Sequence, residues 1–134
     1  MAKTAEFGVR TSARMDFVNI DHQVQEAVRE SGVKNGQCLV FVPHTTAGVT
    51  INENADPDVR RDIMAELDKV IPLQDGYYHS EGNSAAHIKS SLVGASEVVP
   101  VENGFLKLGT WQSIFFCEFD GPRSRRVWVN VIEG

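Results

Sequence analysis

The feature that most limits the possible folds is the segment TWQSIFFCEFD, residues 110–120, close to the C-terminal end. Side chains alternate between the two faces of a strand, which puts Ile114 and Phe116 on one face and Phe115 and Cys117 on the other. Both faces are then mostly apolar, and a strand of this kind needs cover on both. The segment therefore predicts a strand that is buried on either side.

Further strands are predicted around this one. SEVVPV, FLKL and RVWVNVI also lie in the last forty residues, and Asn103-Gly104 between the first two is a strong hairpin signal. Upstream, AEFGVRT, GQCLVFVPH and GVTIN have strand character. The second of these is apolar at successive positions, which predicts cover on both of its faces.

Three helices are predicted, over residues 19–32, 55–72 and 83–94. The first carries an apolar stripe at Ile20, Val24, Ala27 and Val28. Gly32 ends it as a left-handed glycine, and Asp56 and Pro57 open the second helix as N-cap and first helical residue. Asn83 or Ser84 caps the third. The mixed order of helices and strands, with an antiparallel meander at the end, predicts a compact α+β domain.

Length, composition and charge limit the classes of protein to which the chain can belong. The chain has 134 residues, of which 42% are hydrophobic, and this fits one domain over residues 1–134. The net charge of -5 argues against a nucleic-acid-binding protein, which usually has a basic face. No apolar run reaches the roughly 18 residues of a membrane span, and the first residues lack a secretory h-region. We therefore expect a soluble cytoplasmic protein, with Cys38 and Cys117 as core thiols.

One polar segment, PHTTAGVTINENADPDVRRDI at residues 43–63, directly follows the apolar run QCLVFV. It is either an ordinary strand–turn–helix connection or one wall of an active site. Helix capping explains the aspartates around Pro57. Capping does not explain the polar residues before them, which are His44, Thr45, Thr46, Asn52, Glu53 and Asn54.

A second polar segment, YYHSEGNSAAHIKSS, carries His79, Glu81, Asn83 and His87. Three of the four histidines of the chain therefore lie at junctions into helices or at strand ends. Imidazole and carboxylate groups are usual ligands of zinc and other divalent metals, so a metal site is one interpretation. This spacing is less specific than a CxxC pair or an HExxH helix.

Glu118 is the third candidate, because it lies in the apolar run FFCEFD. A buried carboxylate must be paired, hydrogen-bonded or neutralised. Two interpretations are open: an ion pair with an arginine of the following RSRR turn, or a general base or metal ligand. Arg123 in the same turn could bind a phosphate group.

Four motifs together resemble the YjbQ family, the small bacterial and archaeal proteins described as secondary thiamine-phosphate synthase enzymes. They are HTTAGVTINENADPDVRRD, YYHSEGN, GNSAAHIKSSLVGAS and LGTWQSIFFCEFDGPRSRRV, and the resemblance runs from about residue 5 to about residue 132. It implies a compact α+β fold and homotrimers with polar clefts near the subunit contacts. It also implies a weak activity that joins a pyrimidine methyl diphosphate to a thiazole phosphate and releases pyrophosphate.

We assign expected roles to individual residues of these motifs. The expected catalytic residues are Glu118, Glu53, His44 and Asn52. The expected substrate-binding residues are Thr45, Asn54, Asn83, Trp111, Gln112 and Arg123. A divalent metal ion, zinc or magnesium, is expected on His44, His79 and His87.

Two functions from different classes follow. The first is a metal-assisted enzyme that acts on a phosphorylated small molecule. The second is a non-catalytic oligomeric module that binds a phosphorylated metabolite or a metal. Only the enzyme needs a base beside its ligand, and Glu118 is the sequence feature that favours it.

Overall fold

The computed structural model describes residues 2–134, which form eight strands and three helices. The strands are β1 (Ala2–Arg10), β2 (Asp16–Asn19), β3 (Gly36–Phe41), β4 (Ala47–Glu53), β5 (Ser96–Glu102), β6 (Phe105–Leu106), β7 (Gln112–Glu118) and β8 (Ser124–Glu133). The helices are α1 (Asp21–Ser31), α2 (Pro57–Val70) and α3 (Ser84–Val93).

Two antiparallel sheets carry the fold. The larger sheet has the order β1-β8-β3-β5-β6, and the smaller has the order β2-β7-β4. The predicted α+β class, the number of helices and the antiparallel pairing are confirmed. The four-residue β2 was not predicted, because DFVN is too short for its alternation to indicate a strand.

The central strand β7 is buried on both faces, as predicted. Ile114 and Phe116 pack into one core with Val40 and Val129 of the larger sheet, and α1 adds its apolar stripe to this core. On the other face Phe115, Cys117 and Phe119 pack with residues of α2 and α3 in a second core. Burial of each such phenylalanine side chain contributes about 1.5–3 kcal/mol to stability. The smaller sheet is therefore the middle layer of the protein.

The local signals at the helix ends also hold. Gly32 ends α1 with a φ of 74°, in the left-handed region. The Asp56 side chain accepts the backbone N–H of Asp58 at 2.9 Å, and Pro57 is the first residue of α2. Asn83 occupies the N-cap position of α3, but its side chain makes no capping hydrogen bond.

The prediction that β3 is covered on both faces is wrong for the single chain. Cys38 and Val40 are buried, whereas Phe41 on the outer face is 37% exposed. Its ring stacks on Trp128 of β8 with 5.8 Å between centroids. The outer face of the larger sheet therefore carries an apolar patch, which also includes Leu39, Val98 and Ile132, beside polar residues such as Glu6 and Asn130.

Both cysteines are free and buried, as expected of core thiols. Burial raises the pKa of Cys38 to about 12 and raises that of Cys117 as well, so both thiols stay protonated near neutral pH. None of the helices in the described part of the chain is long and apolar enough to cross a membrane.

Candidate functional site

His44 lies just after the end of β3, where the chain leaves the larger sheet. Its Nε2 accepts the backbone N–H of Arg126 at 2.9 Å. Pairing between β3 and β8 ends at Phe41 and Trp128, and this register, continued by two residues, would bring Pro43 opposite Arg126. The imidazole of His44 thus accepts the N–H that a backbone carbonyl of β3 would accept if the pairing with β8 continued.

The electrostatic surroundings keep His44 neutral. Burial and the positive charge of Arg125 lower the pKa of His44 below its ordinary value of 6.5. A ring nitrogen that accepts an N–H has to be unprotonated, so the single proton of the neutral ring is on Nδ1. His44 therefore has one polar atom left to offer a ligand, and that atom is a donor.

A buried ion pair lies next to His44. The guanidinium of Arg125 donates to both carboxylate oxygens of Glu118, with 2.8 Å from Nε to Oε1. It also donates to the hydroxyl of Thr46 at 2.8 Å. Arg125 is thus the partner that one of the two sequence interpretations required for Glu118.

Glu118 is fully buried, and its carboxylate is saturated with donors. Besides Arg125, the hydroxyl of Thr11 donates to Oε1 at 2.8 Å, and the backbone N–H groups of Phe119 and Asp120 donate to Oε2 at 3.1 and 3.0 Å. Burial alone would raise the pKa of Glu118, but Arg125 and the other donors lower it below its ordinary value. The carboxylate therefore remains charged and has no lone pair free for a ligand, which favours the ion-pair interpretation.

Helix α3 packs against β4 beside His44. The Ser90 hydroxyl donates to the Thr45 carbonyl at 2.6 Å, and the Gly94 carbonyl accepts the Val49 N–H at 3.1 Å. Beside this contact lies a depression of about 530 Å³, and a second of about 500 Å³ lies between α3 and the loop at residues 76–79; the two share His87. We call them together the histidine groove, and its polar lining includes His44, Thr45, Tyr77, His79, Ser84, His87, Ser90 and Ser91.

The histidine groove tests the predicted metal site. The rings of His79 and His87 lie with centroids 5.4 Å apart, close to the roughly 5 Å expected when two imidazoles bind one tetrahedral ion at 2.0–2.1 Å. His44 does not fit as a third ligand, because Arg126 occupies its unprotonated nitrogen. Within residues 2–134, no three side chains of histidine, cysteine, aspartate or glutamate are grouped as a metal site. The described chain thus brings together two of the three histidines predicted as metal ligands.

A second group of predicted residues lies at the opposite end of the smaller sheet. The pairing of β4 with β7 begins at Ala47 and Glu118 and ends six residues further at Glu53 and Gln112. The two ends of this pairing are therefore about 20 Å apart. Asn52, Asn54 and Trp111 are exposed beside that far end. The polar segment that follows β3 is therefore not one wall of one site in a single chain.

Asn83 and Arg123 are both held by Asp120. The amide of Asn83 donates to Asp120 Oδ2 at 3.0 Å, and Arg123 donates to the same oxygen at 3.0 Å and to the Asp120 carbonyl at 2.7 Å. Neither residue lines the histidine groove. A phosphate bound by Arg123 would compete with this carboxylate.

Comparison with known proteins shows the family to which this chain belongs. The family model described as UPF0047 protein YjbQ-like matches residues 5–134. This chain belongs to the YjbQ-like UPF0047 family. It is 50% identical to the UPF0047 protein YugU of Bacillus subtilis over 133 residues, which cover 98% of this chain and 99% of that protein. It is also 50% identical to the UPF0047 protein MJ1081 of Methanocaldococcus jannaschii over 127 residues, covering 95% and 92%.

Solved YjbQ-like structures share the fold. One is an uncharacterized conserved protein from Clostridium acetobutylicum, with a TM-score of 0.94, 58% identity and coverage of 96% of this chain and 99% of that one. Another is a protein of unknown function from Sulfolobus solfataricus, with a TM-score of 0.95, 34% identity and coverage of 100% and 99%. The architecture is thus common to YjbQ-like proteins of widely different sequence.

One charged cluster of this YjbQ-like chain was missed by the sequence analysis. Lys89 is fully buried in α3, and its ammonium donates to Asp68 of α2 at 2.8 Å. Arg14 donates to the other oxygen of Asp68 at 2.9 Å, and the two cations lower the pKa of Asp68. The available signal was a lone lysine in the small and apolar run SAAHIKSSLV. The cluster joins α2, α3 and the β1–β2 connection beneath the groove-bearing helix.

Proposed function

We propose that this YjbQ-like chain binds a phosphorylated small molecule in the histidine groove and acts on it as a metal-assisted transferase. The observation that carries the proposal is the convergence of His44, Thr45, His79 and His87, from two distant sequence segments, in adjoining depressions. The activity that the family resemblance implies, thiamine-phosphate synthesis as a secondary reaction, is compatible with this arrangement.

The groove residues divide into two roles in this proposal. His79 and His87 are the ligands that the chain contributes to a divalent ion, which would neutralise the charge of a diphosphate leaving group. His44 and the hydroxyl of Thr45 donate hydrogen bonds to phosphate oxygens. The remaining positions around the ion would be taken by water or by the substrate's own oxygens.

The proposed reaction does not require a carboxylate base. The carbon–oxygen bond between the pyrimidine methylene and the diphosphate breaks, and a carbon–nitrogen bond forms to the thiazole nitrogen. That nitrogen attacks through a lone pair and carries no proton, so the products are the thiazolium compound and pyrophosphate. Positioning and charge neutralisation are therefore what this chain has to supply.

A homotrimer is part of the proposal. The two predicted residue groups lie at opposite ends of β4 and β7 in one chain, so a site that uses both would need two chains. The outer face of the larger sheet, with Phe41, Val98 and Trp128 exposed, offers an apolar contact surface. The resemblance to the family supports three copies.

One observation favours the alternative function, a non-catalytic binding module. The lining of the histidine groove contains no aspartate or glutamate among the described residues. Glu118, the expected base, is saturated within the buried ion pair. A phosphorylated metabolite whose reaction does require a general base would therefore be bound in this groove without turnover.

One assay separates the two functions. The purified protein is incubated with the pyrimidine methyl diphosphate, the thiazole phosphate and a divalent metal, and thiamine phosphate is quantified. The enzyme proposal expects turnover that His87→Ala lowers at least about 100-fold, while exposed His22→Ala leaves it unchanged. Ligand binding by calorimetry without turnover of any phosphorylated substrate would establish the module instead.

A further inference from the structure

The hydrogen bond between Arg126 and His44 has a consequence for what the histidine groove can recognise. It is a backbone N–H that reaches a side-chain nitrogen at 2.9 Å, across 82 positions of sequence. A backbone donor cannot reverse its polarity, whereas a hydroxyl or a water can. The nitrogen that faces it must therefore always be an acceptor.

We propose that the Arg126 backbone amide is a positioning group, which fixes His44 as an Nδ1–H donor so that the groove receives an oxyanion at this point. A metal ligand or a general base needs an unprotonated ring nitrogen, and the one such nitrogen of neutral His44 is already used. Among the described residues, no protein acceptor is bonded to Nδ1. The donor is free for a ligand.

The buried ion pair fixes the position of this amide. Arg125, the residue before Arg126, is bound by Glu118 and Thr46 and is 7% exposed. Strand β8 is thus fixed one residue away from the N–H that contacts His44. Glu118 contributes to the groove through this strand, although its own carboxylate contacts no ligand site.

The role in ligand binding rests on the proposed function, whereas the tautomer does not. His44 lines the same depression as Thr45, Ser91 and His87, and His87 also lines the adjoining depression with His79. A phosphate group that contacts an ion on the two paired histidines could accept the His44 donor through another oxygen. The geometry thus assigns donation to His44 and metal ligation to the other two.

The experiment is a long-range proton–nitrogen correlation spectrum of ¹⁵N-labelled protein near neutral pH, with His44 assigned by comparison with His44→Gln. We expect a protonated Nδ1 and an unprotonated Nε2. Arg126→Pro removes the N–H donor together with the side chain and should give a mixture of tautomers. Arg126→Ala removes only the side chain, with its ion pair to Glu6, and should leave the tautomer unchanged. If the proline variant does not fold, the spectra of the wild type and of Arg126→Ala still show which ring nitrogen of His44 is protonated. A wild-type ring protonated on Nε2 overturns the proposal.

Pyrophosphate binding, measured by calorimetry with magnesium present, tests the role of the donor. His44→Ala should weaken binding about tenfold, as expected for one hydrogen bond to a charged group. His44→Gln can accept from Arg126 through its oxygen and donate through its nitrogen, so it should recover most of the loss. Binding that His44→Ala leaves unchanged, or that His44→Gln does not recover, overturns the donor role. Failure of the wild type to bind pyrophosphate, with the tautomer as expected, overturns the proposed function and the oxyanion role that rests on it, but not the positioning of His44 by Arg126.

Discussion

Gly48 lies directly beneath the carbonyl group of Gly94. A Cβ atom at position 48 would come within 2.5 Å of that oxygen and 3.3 Å of Val93 Cγ1. The same carbonyl accepts the N–H of Val49 at 3.1 Å. The absence of a side chain at position 48 is therefore what allows α3 to close onto β4 and form one side of the histidine groove.

The first prediction follows from this contact. Gly48→Ala should lower the free energy of unfolding by about 1–3 kcal/mol, because a backbone carbonyl cannot move aside as a flexible side chain can. It should also weaken ligand binding in the groove. Gly8→Ala is the control, since a Cβ there meets its neighbour at an ordinary 3.7 Å. Equal stability of the two variants in chemical denaturation would contradict the prediction.

The second prediction concerns Glu118. Glu118→Gln leaves the Arg125 guanidinium buried without its counter-charge, so we expect a loss of about 3–5 kcal/mol in the free energy of unfolding. Glu53→Gln, at the far end of β4, is the matched control and should change stability little. A Glu118→Gln protein with wild-type stability and turnover reduced by about 10²–10⁴-fold would restore the interpretation as a catalytic base.

The third prediction concerns pH. The native pKa of His44 is lowered, so below 6.5 the unfolded chain takes up a proton that the native ring resists. The stability that neutral His44 contributes is complete above 6.5 and is lost as the pH falls from 6.5 towards the native pKa. Between pH 7.5 and about pH 5, His44→Gln should therefore lose less stability than the wild type. Parallel losses in thermal unfolding would show that His44 is not responsible.

The fourth prediction concerns metal content. The purified protein should hold about one divalent ion per chain, and His79→Ala and His87→Ala should each remove it. His22→Ala is the control, because His22 is exposed on α1. Elemental analysis that finds the same metal content in all four proteins would exclude the paired histidines as ligands.

The fifth prediction concerns assembly. Light scattering should report three chains for the wild type, and Val98→Glu should shift the mass towards one chain by putting a charge on the outer face of the larger sheet. Val70→Glu, at an exposed position of α2, should leave the mass unchanged. A wild-type protein that is monomeric at micromolar concentration would refute the trimer.

The sequence predicted those features of the fold that depend on neighbouring residues. The Asp56 cap, the end of α1 at Gly32 and the burial of β7 on both faces depend on neighbouring residues or on simple alternation, and all three are confirmed. The partner of Glu118 could not be chosen in advance, because the RSRR turn offers three arginines. The pairing of β8 with β1 places Arg125 inwards and leaves Arg126 outside.

The candidate site was predictable only in part. His79 and His87 are eight residues apart, and they do meet in the structure. The hydrogen bond that fixes the tautomer of His44 joins residues 82 positions apart. Its donor is a backbone N–H, which nearly every residue has, so residue types in the sequence could not indicate it. The segment from His44 to Asn54 looked like one polar surface, but an extended strand carries its two ends far apart.

The pairing of β1 with β8 determines when this chain can fold during synthesis. Ala2 pairs with Ile132 and Arg10 pairs with Ser124, and β8 also lies between β1 and β3. On the ribosome, β1 and β3 emerge before β8, which is the strand that lies between them. Until then their edges are open to pairing with other chains. Completion of the larger sheet consequently has to wait until β8 has left the exit tunnel.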